Sequence, residues 1–375
     1  MKELRKIYSL DTKGKVRVWY AVVNGDHFWT VSGLVDGKHI TTDPTYTLAT
    51  NVGRANARTA EEQAIFEAEA LYTKKLKRGW GTEPTGEPLA AIFEPMLAKS
   101  YKTGETVLDL ASGRYASQPK LDGIRCVTTS AGMFSREGQS IVSCPHIVKA
   151  TAEYFERCPD AVLDGELYNH DLKDNFQKIV SLVKRPKNIS AETLAETREL
   201  VKYYIYDVYF PDKPETSFYD RMMFLDTAWE RGLFDRTCEI VETEYRVNTQ
   251  ERLDAINGKY IADGYEGQMI RDGHSKYHPG KRPDALLKRK EFDDSEFVII
   301  EINDGLGNWT GKAKSIKFRM DNGVEFSAGV KGTVEFAKDI FTNREYWIGK
   351  MATVQYFGLT NDGKPRMATV QKWHD

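Results

Sequence analysis

Residues 118–125 read Gln-Pro-Lys-Leu-Asp-Gly-Ile-Arg, and this stretch decides how the rest of the chain is interpreted. Two interpretations are open. An Asp-Gly pair between apolar residues is typical of a β-hairpin turn, which would leave Lys120 and Arg125 as surface residues. Alternatively, Lys120 is held at a strand end beside a tight glycine turn, where its amine is placed to attack phosphorus. For such an attack the amine must be partly neutral, which desolvation, a nearby metal or neighbouring cations would favour.

Four other stretches carry acids or bases: Ser135–Gly138, with an arginine at a turn, and the strand-like Leu163–Leu167, Gly264–Arg271 and Leu286–Lys290. Glu166 and Glu266 lie inside apolar strands, which is costly unless each acid is paired or bound to a metal. Lys288 and Lys290 share one face of a strand, given its period of two. Buried ion pairs would explain the acids alone. A nucleoside triphosphate with Mg²⁺ would explain the acids and the lysines together.

In this order, the five stretches resemble the covalent nucleotidyltransferase superfamily of ATP-dependent DNA ligases, RNA ligases and capping enzymes. The similarity spans roughly residues 92–375. It begins at Glu94–Ala98, which is similar to the start of the DNA ligase catalytic domain. It ends at Val354–Phe357 and Gly363–Arg366, which resemble the end of the ligase OB domain. This ending favours DNA ligases, and the compact layout resembles phage or bacterial accessory enzymes.

The resemblance implies which residues bind ATP. Lys120 would attack the α-phosphate and carry AMP as a phosphoramidate. Gln118 would face the adenine edge, Glu166 would bind the ribose, and Tyr206 would stack on adenine unless it is an ordinary core aromatic. The full set implied for the nucleotide is Gln118, Lys120, Arg125, Arg136, Glu166, Tyr206, Lys288 and Lys290.

The resemblance also implies a metal and a route to DNA. Glu266 would help to hold Mg²⁺, with Asp122 acting through water. Arg125 and Arg136 would contact the nucleotide first and the DNA 5′-phosphate later. ATP is favoured over NAD⁺ because neither a nicotinamide-binding module nor a four-cysteine zinc site is visible. The family's last basic motif is not evident near the C-terminus, where Lys372 or Arg366 is the available substitute.

The expected fold is α+β with three domains. Residues 1–80 predict a small β-sheet followed by a helix, and residues 81–90 a linker rich in Gly and Pro. Residues 91–291 alternate strand-like and helix-like stretches, as in a mixed α/β nucleotidyltransferase (adenylation) domain. Residues 292–375 read almost entirely as short strands and predict an OB-fold β-barrel.

The first domain is similar to WGR-type nucleic-acid-binding modules through Asn51–Arg54 and the strand–helix order around it. Residues 1–82 hold 13 Lys and Arg against 9 Asp and Glu. Arg54 and Arg58 precede a helix that Thr59 and Glu62 cap reciprocally, and a helix N-terminus favours phosphate. We therefore predict that Arg54 and Arg58 bind DNA; a purely scaffolding role stays open.

A second basic segment lies in the last domain. Gly311–Arg319 has four basic residues and no acid in a chain of net charge −2. Lys312, Lys314 and Lys317 are predicted to follow a phosphate backbone, although such a run is equally typical of a solvated face.

Composition limits the remaining classes. No run approaches the ~20 apolar residues of a membrane span, and the N-terminus lacks the apolar core of a signal peptide. The four cysteines are widely separated and read as ordinary thiols. We expect a monomer in the cytoplasm of a bacterial cell or a phage-infected host, acting on nicked duplex DNA. The alternatives are an RNA ligase or capping nucleotidyltransferase, and a DNA-end binding protein without catalysis.

Overall fold

The computed structural model describes residues 1–11, 13–76, 79–85, 93–173, 175–185, 189–306, 309–360 and 362–374. The chain divides into two compact units, one of residues 1–91 and 292–375 and the other of residues 92–291. Half of the predicted linker, residues 86–90, lies outside the described residues, as does residue 91, where the adenylation domain is predicted to begin. The three predicted boundaries between these segments stay predictions.

The N-terminal segment is a β-sheet with one helix packed on it. Its elements are β1 (Lys2–Glu3), β2 (Ile7–Leu10), β3 (Val16–Asn24), β4 (His27–Leu34), β5 (Ile40–Thr41), β6 (Thr45–Tyr46) and α1 (Ala60–Leu76). The strand order is β1-β3-β4-β5, with β2 on β3 and β6 on β4. The capping box is confirmed, since Thr59 Oγ1 accepts from the Glu62 amide at 3.2 Å and Glu62 Oε2 accepts from the Thr59 amide at 2.8 Å.

Residues 93–291 form two sheets flanked by helices. The strands are β7 (Lys99–Ser100), β8 (Tyr115–Lys120), β9 (Ile124–Thr129), β10 (Gly132–Ser135), β11 (Val162–Tyr168), β12 (Lys202–Tyr209), β13 (Cys238–Ile240), β14 (Glu244–Val247), β15 (Gly267–Asp272) and β16 (Leu286–Lys290). The helices are α2 (Pro145–Ala150), α3 (Ala152–Arg157), α4 (Phe176–Val183), α5 (Ala191–Leu200), α6 (Phe218–Glu230) and α7 (Gln250–Ala262). Among the described residues, the five-stranded sheets have the orders β10-β9-β11-β12-β13 and β14-β8-β15-β16-β7.

One predicted helix is divided in two. The sequence predicts a continuous helix over 147–156, whereas the structure has α2 and α3 with a break at Thr151. The Thr151 hydroxyl donates to the carbonyl oxygen of Ile147 at 3.0 Å. A threonine that bonds back to the preceding turn bends a helix, which explains the break.

The C-terminal segment is a closed barrel with two added helices. Its strands are β17 (Asp293–Asp304), β18 (Ala313–Arg319), β19 (Glu325–Val330), β20 (Met351–Tyr356) and β21 (Thr369–Trp373), in the order β17-β18-β19-β21-β20. The small barrel is therefore confirmed. The expectation of strands almost throughout is wrong, because α8 (Val334–Thr342) and α9 (Arg344–Trp347) lie between β19 and β20. Thr333 caps α8 by accepting from the Phe336 amide at 3.2 Å, and Ile340 packs into the barrel core.

No helix within the described ranges combines the length and the apolar character that crossing a bilayer requires.

Candidate active site

Lys120 is the last residue of β8, and the chain then leaves that sheet. β8 pairs with β14 and β15, whereas β9 pairs with β10 and β11 in the other sheet. The hairpin interpretation of residues 118–125 is therefore wrong: Asp122-Gly123 carries the chain between two sheets. Gly123 passes so close to Glu166 and Leu167 that a Cβ at this position would collide with the Leu167 carbonyl oxygen. Only glycine lets Lys120 end its strand here without displacing β11.

A carboxylate joins two lysines at the end of this sheet. Gly267 on β15 lies opposite both Lys120 on β8 and Lys290 on β16, so Glu266, just before it, reaches both strands. Glu266 Oε2 contacts Lys120 Nζ, and its Oε1 contacts Lys290 Nζ. The Glu266 side chain is 3% exposed and that of Lys120 19%. The acid is thus buried beneath the amines, which face the cleft.

Lys288 adds a third amine on the same face of β16. Burial lowers the pKa of Lys288, and the neighbouring charges of Lys290, Lys120 and Arg282 lower it further. Like charges held together in this way disfavour one another, and a bound anion would relieve the repulsion. The arrangement is therefore suited to a polyphosphate.

Glu166 on β11 behaves differently from Glu266. Burial raises the pKa of Glu166 to about 8, and the positive charges of Lys120 and Arg125 only partly oppose this effect. Arg125 instead makes a two-point contact with Asp164, with N–O distances of 2.9 and 2.5 Å. The Tyr277 hydroxyl donates to the same carboxylate at 2.7 Å. The raised pKa therefore favours the protonated form of Glu166 near neutral pH, in which the carboxyl can donate as well as accept a hydrogen bond.

These groups surround a cleft of about 260 Å³. All eight residues predicted to bind the nucleotide line it, including Arg136 from the turn after β10: Gln118, Lys120, Arg125, Arg136, Glu166, Tyr206, Lys288 and Lys290. Among the described lining residues, seven are Lys or Arg and Glu166 is the one acid. A cleft so rich in cations fits an anionic nucleotide.

The predicted metal ligands are less fully arranged. Both carboxylate oxygens of Glu266 contact lysines, and Asp122 lies half-buried in the crossing between the two sheets. In the part of the chain that the structure describes, no three His, Cys, Asp or Glu side chains form a group suited to a metal ion. Mg²⁺ is commonly held by one or two carboxylates together with substrate phosphates, so these residues fit a metal that enters with the nucleotide.

The floor of the cleft is a buried polar network. Gln118 Oε1 accepts from Arg271 Nε at 2.6 Å, and Arg271 Nη1 donates to Asp207 at 2.8 Å. Arg221 Nε donates to the other oxygen of Asp207 at 2.7 Å. Tyr206, beside Asp207 on β12, is half-buried and lines the cleft. Both Gln118 and Tyr206 therefore line the cleft, and Tyr206 also packs against a small cluster of buried apolar side chains.

The family comparison agrees with this geometry. A family described as the ATP dependent DNA ligase domain matches residues 95–290, just over half of the 375-residue chain. A second family, the DNA ligase OB-like domain, matches residues 304–373. The chain belongs to the ATP-dependent DNA ligase family.

Individual relatives are distant in sequence. The DNA ligase of African swine fever virus, isolate Warthog/Namibia, is 25% identical over 266 residues, which is 68% of this chain and 59% of the viral protein. The chain thus matches about three fifths of that relative's length. The DNA ligase of Haemophilus influenzae is 24% identical over 67% of this chain and 83% of its own. A solved structure of a Lig E DNA ligase shares the fold, with a TM-score of 0.61 and 24% identity over 76% of this chain and all of that one.

Of the two arginines predicted to bind DNA in the first segment, one is exposed and the other is packed. Arg54 lies exposed in the turn before α1. Arg58 is half-buried, with its guanidinium 3.8 Å from the centre of the Phe66 ring. Arg58 therefore contributes to packing, and Arg54 is the more accessible charge.

The three lysines of the barrel also differ. Lys314 is exposed, with its amine 5.1 Å from the Trp309 ring centre. Lys317 forms an ion pair with Glu325 at 2.6 Å, which raises the pKa of Lys317. Lys312 is half-buried just before β18. Of the other basic residues considered, Lys372 lies on β21, and the guanidinium of Arg366 is 5.5 Å from the Phe357 ring centre.

Sequence reasoning missed the charged residues that support the cleft: Asp164, Asp207, Arg221, Arg271 and Arg282. A signal for one of them was available. Arg271 lies in the apolar strand β15, and a cation there needs a partner for the same reason that an acid does.

Proposed function

We propose that this protein is an ATP-dependent DNA ligase that seals nicks between a 3′-hydroxyl and a 5′-phosphate in duplex DNA. The observation that carries the proposal is Lys120 at the mouth of a cation-lined cleft, in contact with Glu266, in a chain of the DNA ligase family. The match of residues 304–373 to the OB-like domain of DNA ligases favours DNA over the ends of RNA as the substrate. The accessible amine favours catalysis over mere binding of DNA ends.

In the first step, Lys120 Nζ attacks the α-phosphorus of ATP as a neutral amine. A nitrogen–phosphorus bond forms, the bond from the α-phosphorus to the bridging oxygen breaks, diphosphate leaves, and the nitrogen releases one proton to solvent. Lys288 and Lys290 stabilise the negative charge of the phosphates, and Arg136 adds a third cation on the cleft wall. In such a transfer, positioning and electrostatics supply most of the catalysis.

Mg²⁺ would be held by Glu266 and Asp122 together with phosphate oxygens, and it would supply further charge neutralisation. The carboxylate that would hold the metal also contacts Lys120 and Lys290, so the metal would lie close to the proposed nucleophile.

The remaining steps use DNA. AMP passes from Lys120 to the 5′-phosphate at the nick, with Arg125 and Arg136 shifting their contacts to that phosphate. The 3′-hydroxyl then attacks the activated phosphorus, the phosphodiester bond forms and AMP leaves. Arg54, Arg58, Lys312, Lys314 and Lys317 are proposed to contact the DNA backbone, and a nick offers no sequence to read, so phosphate contacts should dominate. The protein would act as a monomer in the cytoplasm.

The deciding experiment supplies nicked duplex DNA with ATP, with NAD⁺ and with neither. We expect sealing with ATP but not with NAD⁺ or without a nucleotide. Labelled AMP should appear on the protein before the nick is sealed. Sealing of nicked RNA in preference to DNA would support the RNA ligase alternative. DNA-end binding without any labelled AMP would support the non-catalytic one.

A further inference from the structure

The side-chain amide of Gln118 has partners at both of its ends. Its Nε2 donates to the carbonyl oxygen of Tyr206 at 3.2 Å and to Thr243 Oγ1 at 2.9 Å. Its Oε1 accepts from Arg271 Nε at 2.6 Å. The residue is 1% exposed and lines the cleft.

The chemistry of these partners allows one orientation of the amide. A backbone carbonyl only accepts and a guanidinium only donates. The Thr243 hydroxyl donates its own hydrogen to the carbonyl oxygen of Val241 at 3.1 Å, so its oxygen is left to accept from Gln118. Turning the amide over would place N–H against N–H at Arg271 and oxygen against oxygen at Tyr206.

An amide held in this way offers the cleft only an acceptor. Both hydrogens of Nε2 are used by the protein, whereas Oε1 has two lone pairs and Arg271 uses one. The remaining lone pair can take a hydrogen from an exocyclic amino group but not from a carbonyl oxygen. Building on the proposed function, we propose that Arg271 and Thr243 are positioning residues that hold Gln118 in this orientation, so that the cleft selects a nucleobase with an amino group at this edge over one with a carbonyl.

Arg271 is itself fixed from behind. Its Nη1 donates to Asp207, which also receives two N–H groups of Arg221 at 2.7 and 3.1 Å. Arg271 and Arg221 are 3% and 2% exposed. Burial would raise the pKa of Asp207, but the two guanidinium groups outweigh it and the pKa is lowered. Arg221 and Arg271 are almost equally buried and bind the same carboxylate, but it is Arg271 that donates to the Gln118 amide. Arg221 is therefore a matched control.

The test compares kcat/KM for self-adenylylation with ATP and with ITP, whose base has a carbonyl where adenine has its amino group. The wild-type protein should prefer ATP by about 10–100-fold, because ITP would set a carbonyl oxygen against Gln118 Oε1. Arg271→Met and Thr243→Val should each lower this ratio about 3–10-fold, and the double variant should bring it towards one. Arg221→Met should lower the ratio less than Arg271→Met does, because Gln118 keeps its hydrogen bond from Arg271.

Arg271→Lys provides a variant that is easier to fold. Lysine keeps a cation for Asp207, but it has one side-chain nitrogen where arginine uses separate nitrogens for Asp207 and Gln118. The ATP/ITP ratio should therefore fall, while the melting temperature changes less than in Arg271→Met. Folded Arg271→Lys and Thr243→Val proteins with the wild-type ratio would overturn the inference, as would an equal loss of the ratio in Arg221→Met. A wild-type protein that takes no AMP from ATP would instead refute the proposed function itself.

Discussion

Lys120 and Glu266 are joined twice, by a side-chain contact and by a backbone hydrogen bond of 3.0 Å from the Glu266 amide to the Lys120 carbonyl oxygen. The backbone bond holds the end of β8 to the residue just before β15. The position of the Glu266 carboxylate is therefore tied to that of the proposed nucleophile, even when ligands change its side-chain contacts.

Lys120→Ala should abolish covalent AMP labelling from ATP, because no other group replaces the amine at the strand end. The fold should survive, since Glu266 keeps Lys290 as a partner. Labelling by α-³²P-ATP on a denaturing gel and a thermal melt check both points. Lys102→Ala, an exposed lysine paired with Glu105, is the control. Labelled Lys120→Ala protein would show that another residue carries AMP.

Lys288→Ala should slow self-adenylylation by about 100-fold or more, as loss of a group that stabilises developing charge does. Arg289→Ala is the matched control. Arg289 is the next residue on β16 and forms an ion pair with Asp254 at 2.5 Å. Single-turnover rates at saturating ATP measure the effect. Equal rates for the two variants would show that Lys288 does not stabilise the phosphates during self-adenylylation.

Glu166→Gln should change how stability depends on pH. Burial raises the pKa of Glu166 from its ordinary value of 4.5 to about 8 in the folded protein. Between about pH 5 and 8, the folded state therefore holds a proton that the unfolded state has lost. The unfolding free energy should therefore decrease as pH rises from about 5 to 8, by at most about 1.4 kcal/mol per pH unit from this group. Glu166→Gln should lack this contribution.

Urea denaturation of both proteins at several pH values measures that difference. The stability of Glu166→Gln relative to the wild type should grow steadily between pH 5 and 8. A difference that stays constant with pH would mean that Glu166 is not protonated in the folded state.

Lys314→Ala should weaken binding to nicked duplex DNA more than Lys317→Ala. Lys314 is exposed, whereas the charge of Lys317 is already offset by Glu325 at 2.6 Å. Loss of one phosphate contact should reduce the slope of log K against log salt concentration by about 1 in Lys314→Ala. Titrations at several salt concentrations test this order, and the reverse order would contradict it.

Arg54→Ala should raise the DNA concentration needed for sealing and leave self-adenylylation unchanged, because the ATP cleft is built from residues 97–290. Arg58→Ala should instead lower the melting temperature, since Arg58 packs on Phe66. Measuring both reaction steps distinguishes DNA binding from scaffolding. Equal losses in both steps for Arg54→Ala would favour the scaffolding alternative.

Local patterns were sufficient for much of the fold. The strand-like stretches of the sequence predicted β11, β15 and β16, and the Thr59–Glu62 spacing predicted the start of α1. These features depend on neighbours a few residues apart, which the sequence displays directly. All eight residues that the resemblance implies for the nucleotide line one cleft, and their binding of a nucleotide stays a prediction.

Only the tertiary structure decided whether Asp122-Gly123 turns a hairpin or crosses between sheets, since the same dipeptide permits both. It also decided which acid meets which base. Glu266 lies 146 residues from Lys120 in sequence, and sheet register brings them together. Arg271 reaches Gln118 across 153 residues for the same reason. Register follows from the packing of whole strands, so the pairing of buried charges cannot be read from the residues that flank them.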